Sequence, residues 1–266
     1  MLSVQTNFPS LVAQNSVGQS NSSLSTAMER LSTGWRINSA ADDAAGLQIA
    51  SRLNANITGM NTAQRNIGDA TSMLQTADGA LEEISDITLR MQELATQASN
   101  GVNSADDLDA LDAEYQELSK EVTRILDKSE FAGNNLFDTL EAGVTFQIGA
   151  DKTEDLTVTT AALAYTAGDI GDGGDPDAVL DGIDTFAAAV NGVRSSLGAN
   201  INRLEHTANN LASVTENTQA ASGRIMDADF ATETAAMTKN QLLVQSGTNI
   251  LSRANQNTNL VMGLLG

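Results

Sequence analysis

The sequence predicts a mainly α protein: a long antiparallel helical coiled-coil bundle with a small β-hairpin and with its N- and C-terminal helices paired. Three observations lead there. Apolar residues recur at steps of three and four from Leu47 to Ala98, from Leu108 to Ile125 and from Val179 to Leu211, the period of helices that bury a stripe. Only residues 144–160 change to a period of two, the pattern of a hairpin. Aromatics make up 3% of the chain, and the apolar 41% is mostly Ala, Leu, Ile, Val and Met, the stock of helical bundles rather than of a thick sheet core.

The first element follows Pro9 and runs to about residue 33. Leu24, Met28, Leu31 and Trp35 step by four, three and four. The polar face carries Ser, Asn and Gln, so few ion pairs support it and the isolated helix is marginal. This end is expected to order only on assembly. Next comes LSTGWRINSAADDAAG, residues 31–46, where Gly34, small side chains and the Asp42-Asp43 pair interrupt the helical pattern. Residues of these kinds favour turns and caps, so the stretch reads as a joint. Asp42 and Asp43 are expected to cap a helix and to make polar contacts between subunits.

From Leu47 the helical stripe continues for roughly 80 Å at 1.5 Å per residue, and Asn100-Gly101 ends it. Ser104 opens the next helix with Asp107 in capping-box relation, and Phe131-Ala-Gly-Asn-Asn closes it. The 144–160 hairpin is followed by a loop rich in Gly and Asp, about 167–177, read as solvated loop rather than core. A helix resumes near Asp177 and runs to Ile225. Its successive fours at Val193, Leu197 and Ile201 form a stutter that locally unwinds a supercoil. The last segment, 229–265, contributes Met237, Leu243, Ile250, Leu251, Val261 and Leu264, which join Leu24, Met28 and Leu31 as candidate packing residues of the core that forms on self-assembly. Leaving and returning as long helices brings the two ends together. The expected division is 1–41 plus 224–266 as a terminal coiled-coil domain and 42–223 as a helical domain containing the hairpin.

Charge follows the same division. The net charge is −20, yet residues 1–41 hold only Glu29, Arg30 and Arg36, and residues 224–266 balance three acids with three bases. The whole acidic excess lies in the middle. Neutral ends can pack against copies of themselves, while the acidic middle keeps the protein soluble. Clustered Lys and Arg for phosphates are missing, which argues against nucleic acid. There is no cysteine, hence no disulfide or thiolate metal site. No apolar run reaches the roughly 20 residues that span a bilayer, and the N-terminus lacks the pattern of a cleavable signal peptide. One histidine, His206, precludes a His-Glu-x-x-His zinc site, and the spacing of Asp169, Asp172, Asp175 and Asp177 does not fit a calcium loop. No glycine loop for phosphates appears. No cofactor and no enzymatic activity are expected.

Residues 30–46 closely resemble the N-terminal signature of bacterial flagellins, R-L-S-S-G-x-R-I-N-S-A-x-D-D-A-A-G, with Thr33 and Trp35 as departures. Arg224 to Gln256 resembles the flagellin C-terminal pattern, from R-I-x-D-A-D-F to A-N-Q. The resemblance implies a structural subunit that self-assembles into the extracellular filament of a bacterial flagellum, exported without a cleaved signal peptide. It implies that the terminal helices form an inner tube and the middle an outer one. Residues 34–46 would then be the spoke between them, with Gly34, Trp35, Arg36, Asn38, Asp42 and Asp43 meeting neighbouring subunits. Only a short loop occupies the place of the large variable insert, so no outer variable domains are expected. Partners implied are other copies, the flagellar export apparatus, a chaperone for the C-terminal segment, the filament cap and hook-junction proteins. A Toll-like receptor surface is implied at Arg90, Leu94, Gln97 and Glu114, the first three sharing a helix face by spacing; Leu89 and Gln92 depart from the pattern there. The alternatives are a hook–filament junction protein and a helical signalling or scaffold protein.

Overall fold

The computed structural model describes the backbone of residues 6–265 and the side chains of residues 6–256. Val261 and Leu264 therefore lie outside the described side chains. In order, the elements are α1 (Phe8–Thr33), α2 (Ala44–Ala98), α3 (Ala105–Lys128), β1 (Glu130–Phe131), β2 (Asn134–Asn135) and α4 (Leu136–Ala142). There follow β3 (Val144–Gln147), β4 (Asp155–Val158), α5 (Pro176–Met226) and α6 (Phe230–Leu265). The fold is mainly α, with long helices pairing antiparallel. Two compact units form, 1–55 with 217–266, and 56–216. Their boundaries fall inside α2 and α5.

In the terminal unit α1 starts at an Asn7 cap, whose side chain accepts the Ser10 N–H at 3.2 Å. It ends at Gly34, which takes the left-handed conformation (φ 76°) that costs glycine nothing. The less exposed positions of α1 are Ala13, Val17, Ser20, Leu24, Ala27 and Leu31, and those of α6 are Met237, Asn240, Val244, Gly247, Leu251 and Ala254. Both sets alternate steps of four and three, the seam of a coiled coil. The pairing is antiparallel. Asn7 Nδ2 donates to the Ala254 carbonyl at 3.1 Å, Val17 faces Gly247, and Arg30 reaches Glu233 at 3.0 Å.

The stripe expected through Leu24, Met28 and Leu31 is corrected in one member. The seam runs 24–27–31, and Met28 faces outward at 49% exposure. Ala27 takes the inner position and is 3% exposed.

The middle unit is built on α2, α3 and α5. Arg194 Nε on α5 donates to Asp78 Oδ1 on α2 at 2.9 Å, and Gln92 Nε2 donates to Asp184 Oδ1 at 2.9 Å, which sets their antiparallel register. Leu74, Leu81, Ile84, Met91, Leu94, Tyr115, Val122 and Leu197 are among the fully enclosed side chains. Burial of each large aliphatic side chain contributes about 1.5–3 kcal/mol. Ser104 caps α3, and its reciprocal bond with Asp107 completes the capping box.

The hairpin β3–β4 pairs Val144 with Val158 and Phe146 with Leu156. The closing segment after α3 holds more than a stop. β1 and β2 form a second, minimal hairpin, whose turn residues Ala132 and Gly133 both have positive φ, 53° and 83°, as a tight two-residue turn demands.

The Gly- and Asp-rich loop also differs from expectation. Ile170 is wholly buried, and its N–H donates to Asp112 on α3 at 3.1 Å. Gln116 donates to the Gly168 carbonyl at 2.9 Å, and the Tyr115 and Tyr165 hydroxyls are hydrogen-bonded. The segment is a strap packed onto the middle unit. Its composition concealed this, because one isoleucine, one tyrosine and bonds to its backbone anchor it.

Candidate functional site

The joint between α1 and α2 is laid against the turn between α5 and α6. Trp35 and Asp227 form an isolated antiparallel bridge. The Arg36 N–H donates to the Met226 carbonyl at 2.6 Å and the Ala228 N–H to the Gly34 carbonyl at 2.9 Å. Arg36 Nη2 adds a bond to the Ile225 carbonyl at 3.0 Å. Two connecting segments, nearly two hundred residues apart in sequence, thus satisfy each other's backbone groups, as termini of helices require.

Asp42 and Asp43 divide the polar work. Asp42 Oδ2 accepts from the Asn38 N–H at 3.1 Å, the Ser39 N–H at 2.9 Å and the Ser39 hydroxyl at 3.0 Å. The Ser39 backbone bond, its hydroxyl and the Asn38 N–H hold the Asp42 carboxyl below the usual carboxylate range. Asp43 caps α2, with Oδ1 accepting the Gly46 N–H at 2.9 Å. Asn38 is tied back by Nδ2 to the Trp35 carbonyl at 3.1 Å. Asp229 caps α6 in the same manner, bonding Thr232 Oγ1 at 2.8 Å and the Ala231 N–H at 2.9 Å.

Two anchors of the joint were not singled out from sequence. Ile37 is buried, and a Cβ on Gly46 would lie 2.8 Å from Ile37 Cδ1 and 2.5 Å from Asp43 Oδ2. Glycine at 46 lets the first turn of α2 close over the isoleucine. The pairing of Arg30 with Glu233 was also missed, since no local signal links residues so far apart. Trp35 is 52% exposed, its ring outside the bonded backbone.

Many large apolar side chains of the terminal pair point away from its seam. Phe8, Leu11, Val12 and Met28 on α1, and Phe230, Leu242, Leu243 and Ile250 on α6, are all exposed. Leu24, Leu31, Met237 and Leu251 lie in or beside the seam. The candidate packing residues therefore divide into an inner and an outer set.

On the middle unit, Arg90 bonds Glu114 Oε1 through Nε at 3.0 Å and Nη2 at 2.8 Å, and Gln97 is exposed. Leu94 does not belong with them: it is 1% exposed. Spacing alone placed it on their face, but α2 packs against partners on two sides here, so its buried arc is wider than one seam. Among the described residues no group of three His, Asp or Glu is placed to hold a metal ion, and no helix is long and apolar enough to cross a membrane.

Long paired helices, a bonded joint and outward apolar side chains define a mainly α, coiled-coil protein. Residues 4–142 match the bacterial flagellin N-terminal helical region, and residues 180–265 match the C-terminal helical region. A flagellin of Halalkalibacterium halodurans is 42% identical over 97% of this chain and 98% of its own length. The flagellar filament 33 kDa core protein of Treponema phagedenis is 38% identical, again over 97% of this chain and 98% of its own. The crystal structure of Bacillus cereus flagellin is 36% identical and superposes with a TM-score of 0.50, covering 59% of this chain and 94% of that one. The chain belongs to the bacterial flagellins. It is a structural subunit of the flagellar filament, a polymer of such subunits outside the cell.

Proposed function

We propose that the terminal pair is the polymerising element, with residues 1–41 and 224–266 forming an inner tube and 42–223 an outer one. The observation that carries this reading is the second, outward apolar face of α1 and α6. Their seam already uses Val17, Leu24, Leu31, Val244 and Leu251, yet Phe8, Leu242, Leu243 and Ile250 face out. Contiguous exposed apolar surface of that kind marks a protein–protein contact face. Covering 1,000 Å² would contribute about 25 kcal/mol gross at ~25 cal/mol per Å², before ordering costs. Heterologous contacts that do not close yield a filament rather than a ring.

In this reading residues 34–46 are the spoke, and Trp35 and the charged edge of Arg36, Asp42 and Asp43 meet neighbouring copies. By likeness to the family, the subunit leaves through the flagellar export apparatus with its N-terminal segment uncleaved. A chaperone holds the C-terminal segment, and the cap and hook-junction proteins are further partners.

Leu243→Asp and Ile250→Asp test the reading together. The free subunit should keep its helical circular dichroism and the unfolding midpoint of its middle unit, yet form no filaments by electron microscopy after seeding. Filaments of normal length from the double variant would overturn it.

A second reading concerns the exposed ion pair of Arg90 and Glu114, which with Gln97 offers a polar face to a Toll-like receptor. A cell reporter for that receptor should respond to the protein and lose most of its response with Arg90→Ala. A silent reporter at high protein concentration would remove this reading.

A further inference from the structure

Two Asn-Gly dipeptides occur in the sequence, Asn100-Gly101 and Asn191-Gly192, alike in residues and opposite in setting. Asn191-Gly192 lies inside α5, where each N–H is committed to the carbonyl four residues earlier and the backbone is held helical. Asn100-Gly101 lies in the turn beyond the end of α2, and both residues are exposed. There the Asn100 N–H donates to the Gln97 carbonyl at 3.2 Å, and the Asn100 carbonyl accepts the Asn103 N–H at 3.2 Å. Those bonds hold the turn. Among the described residues neither the Asn100 carboxamide nor the Gly101 N–H has a hydrogen-bond partner.

The Asn-Ser pairs in turns are tied down by contrast. Asn38 donates to the Trp35 carbonyl while the Ser39 N–H is held by Asp42. Asn103 donates to the Gln97 carbonyl at 2.7 Å while the Ser104 N–H is held by Asp107 at 3.1 Å. Asn15-Ser16 and Asn21-Ser22 lie inside α1.

We propose that Asn100 is a site of spontaneous deamidation in the folded protein. The Gly101 nitrogen gives up its proton to water or hydroxide and attacks Asn100 Cγ. A new bond joins that nitrogen to Cγ, the bond from Cγ to Nδ2 breaks, and Nδ2 leaves as ammonia. Water then opens the resulting five-membered imide. Attack at the backbone-derived nitrogen's bond to Cγ yields aspartate, and attack at its bond to the Asn100 backbone carbonyl yields isoaspartate, with one extra methylene in the backbone. No oxidant or cofactor enters. Either product adds a carboxylate to the turn before the Ser104 cap, in a unit that already carries the acidic excess. The age of a subunit is thus written as charge at one turn.

The test is peptide mapping by mass spectrometry, with electron-transfer fragmentation to separate the two products, on full-length protein incubated at mildly alkaline pH. Asn100 should convert at least about tenfold faster than Asn191, which reacts only through local opening of α5. In urea the two rates should converge. Gly101→Ala supplies the control: an added Cβ meets nothing within 4 Å and the glycine is not left-handed, so the fold persists while the attacking residue is stiffened and conversion slows. Asn191 converting alongside Asn100 in the folded protein would overturn the proposal. So would an unchanged Asn100 under conditions where the unfolded protein reacts.

Discussion

A side chain on Gly247 would place its Cβ 2.4 Å from Cγ2 of Val17, so any larger residue there requires the Val17 side chain to shift. A glycine inside a helix is less favourable than alanine by about 1 kcal/mol, and here the close packing offsets that cost. Gly247→Val should weaken the terminal pair by about 1–3 kcal/mol through overpacking. The expected readout is a critical concentration for filament growth raised roughly tenfold or more. Gly79→Ala makes the contrast: a Cβ there meets nothing within 4 Å, and the free subunit should gain about 0.5–1 kcal/mol in chemical unfolding. Equal effects from the two substitutions would show that helix propensity, not the approach of α1 to α6, governs position 247.

Arg30 and Glu233 form an ion pair in the terminal unit, with side chains only 29% and 13% exposed. Removing one partner leaves a sheltered charge without its counterpart, which costs more than breaking a surface pair. Glu233→Gln should destabilise the pair by on the order of 1–2 kcal/mol, and added salt should mimic only part of the loss because sheltered charges are screened little. Arg124→Gln, which breaks a solvent-exposed pair with Glu121, should leave the unfolding midpoint almost where it was, since water and salt screen such pairs. Urea unfolding of the two variants would separate these outcomes.

The joint should respond to acid through Asp42. Its folded pKa lies below the ordinary value, chiefly because of the Ser39 backbone and hydroxyl bonds and the Asn38 N–H. A depressed folded value means that the stabilising contribution is fully present above the ordinary carboxylate pKa. It is lost as pH falls through the lower, folded value. The Asn38 and Ser39 amide resonances should therefore move together in a nuclear magnetic resonance titration below the ordinary aspartate value of 3.8. Asp42→Asn should abolish that step. Amides that titrate at or above 3.8 would refute the assignment.

Ile170 anchors the strap on the middle unit. Ile170→Ala should cost about 2–5 kcal/mol, as for other large-to-small core substitutions, and should speed amide exchange across 165–172. Leu94→Ala should destabilise the same unit by a similar amount. Any loss of receptor response in that variant should track its unfolding, whereas Arg90→Ala should leave the melting temperature unchanged. A loop that exchanges freely before substitution would show that Ile170 holds nothing.

Much was settled by sequence alone. Steps of three and four placed α2, α3 and α5 almost to their ends, the alternation at Val144, Phe146 and Ile148 placed the hairpin, and Ser104 with Asp107 announced its capping box. Local rules suffice there because periodicity and caps are properties of neighbours in sequence. The two end motifs likewise carried the family. What only the tertiary structure decided was which apolar residues meet. The seam took Ala27 rather than Met28, and Gly247, where a Cβ would meet the Val17 side chain, rather than Leu243. Leu94 turned inward because α2 has partners on two sides, and Ile170 was drawn under a loop that composition marked as solvated. Arg30 found Glu233, and Trp35 bridged Asp227, across separations that no local pattern spans. Periodicity says that a helix has a buried face, but the width and depth of that face depend on what lies against it.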